Sequence, residues 1–156
     1  MKIDFSARFG FLVNEVAKLY GDQFDALARA RIGLSRAQCR LLSVLAMNGD
    51  RGALSQIELA QQLDLTPMAV AGLCDRMEAA GWVRRLPSAT DRRVNEVHLA
   101  PRAADALEAA LRLGDALTSK ALAGLTAAER SQLIGLLARA RDGLLRLPEA
   151  AARKKA

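Results

Sequence analysis

Arginine side chains cluster in one short stretch of the chain. Between Arg84 and Arg93 there are four arginines and a single carboxylate, Asp91. The segments 82–86 and 94–99 on either side are rich in residues that favour β-strands, which predicts a hairpin with a long basic tip. Such a tip could bind a polyanion, although arginines on a hairpin are more often only a solvated surface. The neighbouring elements must decide between the two interpretations.

The other reactive side chains predict neither a catalytic site nor a metal site. Cys39 and Cys74 lie far apart without CxxC spacing, so we expect reduced thiols rather than a disulfide framework or a zinc site. His98 is the only histidine, and within a strand we expect it to be an ordinary edge residue. The sequence contains no phosphate-binding glycine loop and no paired-carboxylate signature. It therefore predicts a protein that is not an enzyme and needs no cofactor or metal.

Both ends of the chain carry amphipathic helical patterns. Apolar residues recur every three or four positions from Phe5 to about Ala30, and the same spacing returns after Pro101. A capping sequence that begins at Thr126 marks the start of a last helix. These apolar faces must be buried against another surface, and a small central domain is not large enough to cover them.

Three N-cap signals divide the middle of the chain into short helices. Ser35 and Gln38 have the spacing of a capping box, and so do Ser55 and Glu58. The dipeptide Thr66-Pro67 places a capping hydroxyl just before a proline, which is tolerated at the first position of a helix. The sequence therefore predicts three helix starts in this region.

The order of the central elements indicates a winged helix-turn-helix. The predicted helices cover about 35–47, 55–63 and 67–80, and the basic hairpin follows at 82–99. A helix fits the major groove of B-DNA, which is about 12 Å wide, and its N-terminal amides can meet a phosphate. A hairpin beside it can reach the minor groove, where arginine is favoured. The predicted fold class is mostly α with a small β-hairpin wing, and the predicted partner is double-stranded DNA.

The net charge of +6 and the pI of about 10.0 agree with such a partner without identifying it. The chain shows neither an apolar run long enough to span a bilayer nor a secretory signal at its start. We therefore expect a cytoplasmic protein that does not bind a membrane.

The same residues resemble the MarR family of bacterial transcription regulators. Four motifs occur in the family's order: LSRAQ at 34–38, SQIELA at 55–60, VAGLCDRMEAAG at 70–81 and DRR at 91–93. The last is similar to the family's D-x-R wing signature. The resemblance is close over about 34–101 and loose over the flanking helices.

The resemblance implies a single MarR-like domain over 1–156, with the DNA-binding winged helix-turn-helix at 34–100. Helices at 1–31 and 101–148 are expected to intertwine with those of a second copy into a homodimer. Two-fold symmetry then implies a pseudo-palindromic operator with half-sites about 34 Å apart. The expected dimerisation residues are Phe5, Phe9, Leu12, Leu133, Leu137 and Leu144.

The resemblance also places the DNA contacts. Arg93, with Arg92 beside it, is the first candidate for the minor groove, and Asp91 either pairs with an arginine or only caps the turn. Arg76 is expected to reach a phosphate or a base, or else to form a salt bridge. The full set of candidate DNA-binding residues is Ser55, Gln56, Thr66, Pro67, Met68, Ala69, Ala71, Gly72, Arg76, Asp91, Arg92 and Arg93.

The predicted reading helix departs from the family pattern. Where relatives often have Ser, Thr, Thr and Arg, this chain has Met68, Ala69, Ala71 and Gly72. Few polar groups remain for base edges, so we expect sparse direct readout, with methyl contacts from Met68 or Ala69 to thymine and specificity from groove shape and the wing. Ser55, Gln56 and Thr66 are expected to touch phosphates, although as caps Ser55 and Thr66 already have a structural role.

The family further implies a small aromatic or phenolic effector in a pocket between the dimer helices and the reader. The candidate ligand-binding residues are Lys18, Cys39 and Ser43. Redox sensing is not expected, because the oxidation-sensing relatives carry their cysteine in the first helix and this chain has none there. Cys74 is expected to pack in the core.

The resulting hypothesis is a sequence-specific transcriptional regulator, and repression is the family's usual mode. Two alternatives stay open. One is a winged-helix module that binds protein partners and has lost its DNA contacts, as the Met-Ala-Ala-Gly positions would allow. The other is an architectural protein that binds DNA broadly with weak sequence preference.

Overall fold

The computed structural model of the chain describes residues 4–48, 53–91 and 93–148. Within these ranges the elements are α1 (Phe9–Ile32), α2 (Arg36–Met47), β1 (Ala53–Ser55), α3 (Gln56–Leu63), α4 (Pro67–Ala79), β2 (Val83–Pro87), β3 (Asn95–Leu99), α5 (Ala103–Ala121) and α6 (Ala127–Leu145). They form two compact units, of which the first ends at Leu117 and the second begins at Thr118. The predicted fold class, mostly helical with a small antiparallel sheet, is confirmed.

The predicted N-caps are found at the starts of α2, α3 and α4, the helices of the predicted winged helix-turn-helix. The Ser35 side chain accepts a hydrogen bond from the Gln38 backbone N–H (3.2 Å), and Gln38 Oε1 accepts one from the Ser35 backbone N–H (2.7 Å). Ser55 and Glu58 form the same reciprocal pair at α3. Thr66 Oγ1 accepts from the Ala69 backbone N–H (3.2 Å) at the start of α4. Each cap satisfies amides that the helix itself leaves unpaired.

The sheet has three strands rather than the two of the predicted hairpin. Their order is β1-β3-β2, all antiparallel, and Leu54 lies opposite Val97. Strand β1 was missed because it is three residues long, and its last residue, Ser55, is also the N-cap of α3. His98 consequently lies in the central strand, and the prediction of an edge position was wrong.

The core of the first unit joins helices α2, α3 and α4 to the inner face of the sheet. Its largest fully buried side chains include Leu41, Leu45, Leu59, Val70, Met77 and Val97. The apolar pattern of α3 in the sequence, Ile57, Leu59, Ala60 and Leu63, predicts one buried face. This prediction fails for Ile57, which is 66% exposed. The short helix α3 is therefore held by Leu59, Ala60 and Leu63.

Helix α1 begins at Phe9, four residues later than predicted. Phe5 lies before the helix and stacks on Phe11, with ring centroids 4.8 Å apart. The helix ends at Gly33, whose φ of 70° is the left-handed conformation that favours glycine. Asp25 then links α1 to α2, because its Oδ1 accepts from the Arg36 backbone N–H (2.6 Å). Hydrogen bonds from Arg29 and Arg36 lower the pKa of Asp25.

Helix α4 and strand β2 are joined by one ionic cluster. Glu78 Oε1 accepts from the Arg85 backbone N–H (2.8 Å), and Glu78 Oε2 accepts from Arg85 Nε (2.8 Å). An Arg85 terminal nitrogen also donates to Asp75 Oδ1 (2.6 Å). The backbone and side-chain hydrogen bonds from Arg85 lower the pKa of Glu78. Gly81, with φ of 74°, makes the sharp turn that brings β2 back alongside α4.

Within the described ranges, no helix is both long and apolar enough to cross a membrane.

We predict that Arg85→Gln lowers the free energy of unfolding by roughly 1–2 kcal/mol, because it removes hydrogen bonds between charged groups, of which Arg85 and Glu78 are only partly exposed. Arg84→Gln is the matched control: Arg84 is the adjacent arginine in the same strand, and it is exposed. Chemical denaturation of both variants measures the difference. Equal stability of the two variants would show that the cluster contributes nothing.

The same cluster predicts a pH dependence. The lowered pKa of Glu78 means that folding favours its carboxylate form, so this contribution is complete above the ordinary glutamate pKa of about 4.5 and is lost as the pH falls through the lower folded value. The stability difference between the wild type and Arg85→Gln should therefore shrink as the pH falls from about 4.5 through the lower pKa that Glu78 has in the folded protein. A difference that stays constant through the acid range would contradict the ionic interpretation.

Both thiols lie inside the core. Cys39 and Cys74 are buried, and burial raises the pKa of Cys39 to about 11 and also raises the pKa of Cys74. Because the thiolate is the reactive form, we predict that a thiol reagent such as dithionitrobenzoate reacts much more slowly with the native protein at neutral pH than with the protein unfolded in guanidinium chloride. A fast native reaction by either thiol would contradict the burial described here.

Candidate nucleic-acid interface

The helix-turn-helix is formed by α3, a short turn and α4. The turn contains Asp64, whose φ of 54° is left-handed, and the Leu65 backbone N–H donates to Ala60 O (3.0 Å). These contacts reverse the chain tightly enough for α3 and α4 to share one core. Helix α4 directs Val70, Leu73, Cys74 and Met77 inward. Its opposite face stays open to solvent.

The open face of α4 is apolar at its amino end. Pro67, Met68 and Ala69 are exposed, and the Met68 side chain is 85% exposed. In this first turn Pro67 has no N–H, and Thr66 already binds the N–H of Ala69. The Val70 N–H donates to Thr66 O. The Met68 N–H is thus the single amide of the first turn left for an outside acceptor.

Arg76 lies on the open side of α4, beyond Gly72. A Cβ atom added to Gly72 would lie 3.5 Å from a terminal nitrogen of Arg76, so the guanidinium group extends back along the helix over the glycine. Among the carboxylates of the described ranges, none comes within salt-bridge distance of Arg76. The predicted salt bridge is therefore not formed within the chain, and the guanidinium group is exposed.

The tip of the wing is organised by Asp91. Its Oδ1 accepts from the Arg93 backbone N–H (3.0 Å) and from Arg93 Nε (3.1 Å), and its Oδ2 accepts from a terminal nitrogen of Arg93 (3.2 Å). Asp91 therefore both caps the turn and pairs with an arginine, and hydrogen bonds from Arg93 lower its pKa. Ser88 and Val94 close the loop through a backbone hydrogen bond (2.8 Å).

The four arginines of the wing have different surroundings. Arg93 has a side chain that is 90% exposed, and Arg84 is exposed on β2. Arg85 is held by Asp75 and Glu78 and is not available to a partner. Arg92 lies outside the described residues. Counting charges along the sequence therefore overstated the free positive charge of the hairpin.

Sequence reasoning missed two arginines that build this surface. Arg85 holds the wing on α4, as described above. The Arg102 guanidinium group lies 3.9 Å from the centroid of the Trp82 ring and donates to Ala80 O (2.7 Å). It thus joins the start of α5 to the end of α4. Nothing in the local sequence signals either contact, because both partners come from other elements.

The cap residues lie at the helix starts where they were predicted. Ser55 and Gln56 are half-buried, and the Ser55 hydroxyl also donates to Glu58 Oε2 (2.7 Å). Thr66 is exposed. Since the Ser55 hydroxyl proton is already bound within the capping box, Thr66 is the more accessible of the two hydroxyls.

The three candidate ligand-binding residues have different environments. Cys39 is buried and Ser43, one turn later in α2, is half-buried. Lys18 lies on α1, where its side chain is well exposed and its Nζ pairs with Asp22 (3.2 Å). Cys39 and Ser43 are thus one turn apart on α2, whereas the described contact of Lys18 is with Asp22 of its own helix, α1.

The candidate dimerisation residues are largely uncovered in the single chain. In α1, Phe9 and Leu12 are exposed, and Phe5 is exposed before it. In α6, Leu137 and Leu144 are exposed, Leu133 is half-buried and no residue is fully buried.

Comparison with known proteins shows which proteins this chain resembles. The MarR family model matches residues 32–94, the stretch from the end of α1 to the wing. An uncharacterised HTH-type transcriptional regulator of Bacillus subtilis, YdgJ, is 28% identical over 129 residues, which cover 83% of this chain and 74% of that protein.

Two solved structures share the fold at similar identity. A MarR mutant from E. coli in complex with operator DNA superposes with a TM-score of 0.74 at 25% identity, covering 89% of this chain and 99% of that one. A MarR family protein of Mycobacterium tuberculosis in complex with p-aminosalicylic acid gives a TM-score of 0.69 at 26% identity, covering 85% and 98%. In its matched motifs and its fold, the chain is thus similar to the MarR family of winged helix-turn-helix transcriptional regulators.

Proposed function

We propose that this regulator represses transcription by binding a pseudo-palindromic operator as a homodimer. The observation that carries the proposal is the Arg85 cluster, which joins the wing to α4 while the outer face of α4 and the Arg93 side chain stay exposed. A reader needs its major-groove helix and its wing at a constant separation, because the grooves of DNA are regularly spaced. The likeness to the operator-bound E. coli protein supports the same use.

The proposed dimer forms through helices at both ends of the chain. Large apolar side chains are exposed on both α1 and α6, and extended apolar surface of this kind marks protein interaction sites. Covering them with a second copy stabilises the pair by about 25 cal/mol for each Å² of apolar surface removed from water. Residues 1–31 and 101–148 are proposed as the dimerisation region of a single domain, and 34–100 as its reader.

The proposed contacts divide by chemistry. Arg93 enters the minor groove, with Arg92 beside it, and Asp91 holds the loop in place. Arg76 and Thr66 bind phosphates, as do Ser55 and Gln56 at the start of α3 and the Met68 N–H at the start of α4. Met68, Ala69, Ala71 and Gly72 face the major groove, with Pro67 at the helix start. Phosphate contacts position the protein and supply most of its affinity.

We also propose that a small aromatic or phenolic effector releases the protein from DNA. The M. tuberculosis relative in complex with p-aminosalicylic acid supports a ligand of this class. The proposed pocket residues are Lys18, Cys39 and Ser43. If Cys39→Ala and Lys18→Ala both leave effector-induced release unchanged, these residues do not form the pocket.

The decisive experiment is a gel shift and footprint with DNA flanking the gene, repeated with candidate phenolic compounds. Protection of two half-sites about one helical turn apart supports the proposal. The low polarity of the open face of α4 favours two competing functions, which the same experiment separates. A protein-interaction module would remain dimeric and bind no DNA at low salt, whereas an architectural protein would bind operator and random DNA alike.

We predict that Arg93→Ala weakens binding to operator and unrelated DNA by a similar factor and lowers the slope of log K against log salt by about one, because one cationic contact is lost. Arg112→Ala is the matched control, since Arg112 also pairs with an exposed carboxylate (Glu108, 2.6 Å) but lies on α5. Fluorescence anisotropy across a salt series measures both slopes. An unchanged slope for Arg93→Ala would remove Arg93 from the interface.

We predict that Leu137→Glu converts the dimer to a monomer and lowers operator affinity at least about tenfold, because it places a charge in the apolar interface. Gln132→Glu adds the same charge at an exposed polar position of α6 and should leave the dimer intact. Light scattering coupled to size exclusion measures both masses. A monomeric wild type, or a Leu137→Glu variant that stays dimeric, would argue against α6 as the interface.

A further inference from the structure

We infer that the amino end of α4 selects its operator by apolar contact with thymine methyl groups, and that Met68 makes the principal contact. The inference rests on the proposed operator binding and adds to it the base that the reading helix recognises. It follows from the chemistry of the exposed side chains of this helix.

The first two turns of α4 have no side chain that can read a base edge by hydrogen bonding. From Pro67 to Cys74 no side chain contains a nitrogen or oxygen atom. Val70, Leu73 and Cys74 are buried in the core. The positions left for a partner are occupied by methionine, alanine and glycine. The side chains of this surface therefore cannot form hydrogen bonds with the donors and acceptors of the major groove.

Thymine offers the one apolar group on the major-groove edges of the bases, its C5-methyl. Met68 is 85% exposed and its unbranched thioether side chain adapts to irregular apolar surfaces. Contact with a thymine methyl removes both groups from water. Contact with cytosine would place the same side chain against an exposed amino group that loses its hydration without gaining a partner.

The charged side chains near this surface, Arg76 and Arg93, are inferred to bind the phosphate backbone, so that Met68 contacts the base edges. The Arg76 guanidinium group lies over Gly72, one helical turn beyond Met68, and Arg93 extends from the wing. Both cations attract the phosphate backbone whatever the base sequence. The arginines thus supply affinity, and the methyl contacts supply preference among sequences.

The test uses the full-length protein and duplexes selected by it from a random-sequence library. Each thymine of the best selected duplex is replaced in turn by deoxyuridine, which differs only in lacking the methyl group. We expect at least one thymine in each half-site where the replacement weakens binding about fourfold, since a buried methyl-sized group contributes about 0.8 kcal/mol and 1.4 kcal/mol corresponds to tenfold.

Two variants assign the effect to Met68. Met68→Gln keeps the length of the side chain but removes its apolar end, and it should bind the thymine and deoxyuridine duplexes equally. Met47→Gln makes the same change at another exposed methionine, 78% exposed at the end of α2, and should retain the wild-type discrimination.

The possible outcomes distinguish failure of the thymine-methyl readout from failure of the proposed operator binding. Equal binding of thymine and deoxyuridine duplexes by the wild type, or full discrimination by Met68→Gln, overturns the methyl readout and leaves operator binding intact. Failure of the wild type to enrich any duplex, with no DNA binding at low salt, overturns operator binding and the methyl readout together.

Discussion

The reading surface depends on the contact of Arg85 with the two carboxylates of α4. One guanidinium group and one backbone amide of β2 are bound by Glu78, and the same guanidinium group reaches Asp75. Because both acids project from α4, this contact joins the helix directly to the wing, and the two form one unit. Arg102, stacked on Trp82, secures the end of that unit to α5. Arg85, which holds the wing on α4, is therefore a different arginine from Arg93, whose side chain is exposed to a partner.

In the first two turns of α4 both faces are apolar, yet one is buried and the other is exposed to solvent. Val70 and Met77 are fully buried in the core, whereas Met68, on the same helix, is almost fully exposed. Hydrophobicity alone does not distinguish them, because the difference arises from which face meets α2, α3 and the sheet. Under the proposed operator binding, the exposed Met68 requires apolar groups on the DNA, and thymine methyls meet that requirement.

Much of the fold was predictable because its signals are local. The caps at Ser35, Ser55 and Thr66 act within three residues, and a capped helix start is visible in the sequence itself. Strand β1 was not predictable, since three residues carry no periodicity, and its pairing with β3 depends on residues more than 40 positions away. The exposure of Ile57 was missed for a related reason: an eight-residue helix has too few turns for its apolar pattern to define one buried face.

The sequence by itself determined the order of the helices and the capped starts of those in the middle of the chain, because a cap depends on residues close together in the chain. It left open whether Asp91 pairs with an arginine or only caps the turn. Only the tertiary structure decided which arginines remain exposed to a partner. Arg85 and Arg93 are equivalent in a count of charges, yet one is held by α4 and the other is exposed. The reason is that an ionic contact depends on distance in space, and Glu78 comes within 3 Å of Arg85 only after Gly81 has reversed the chain.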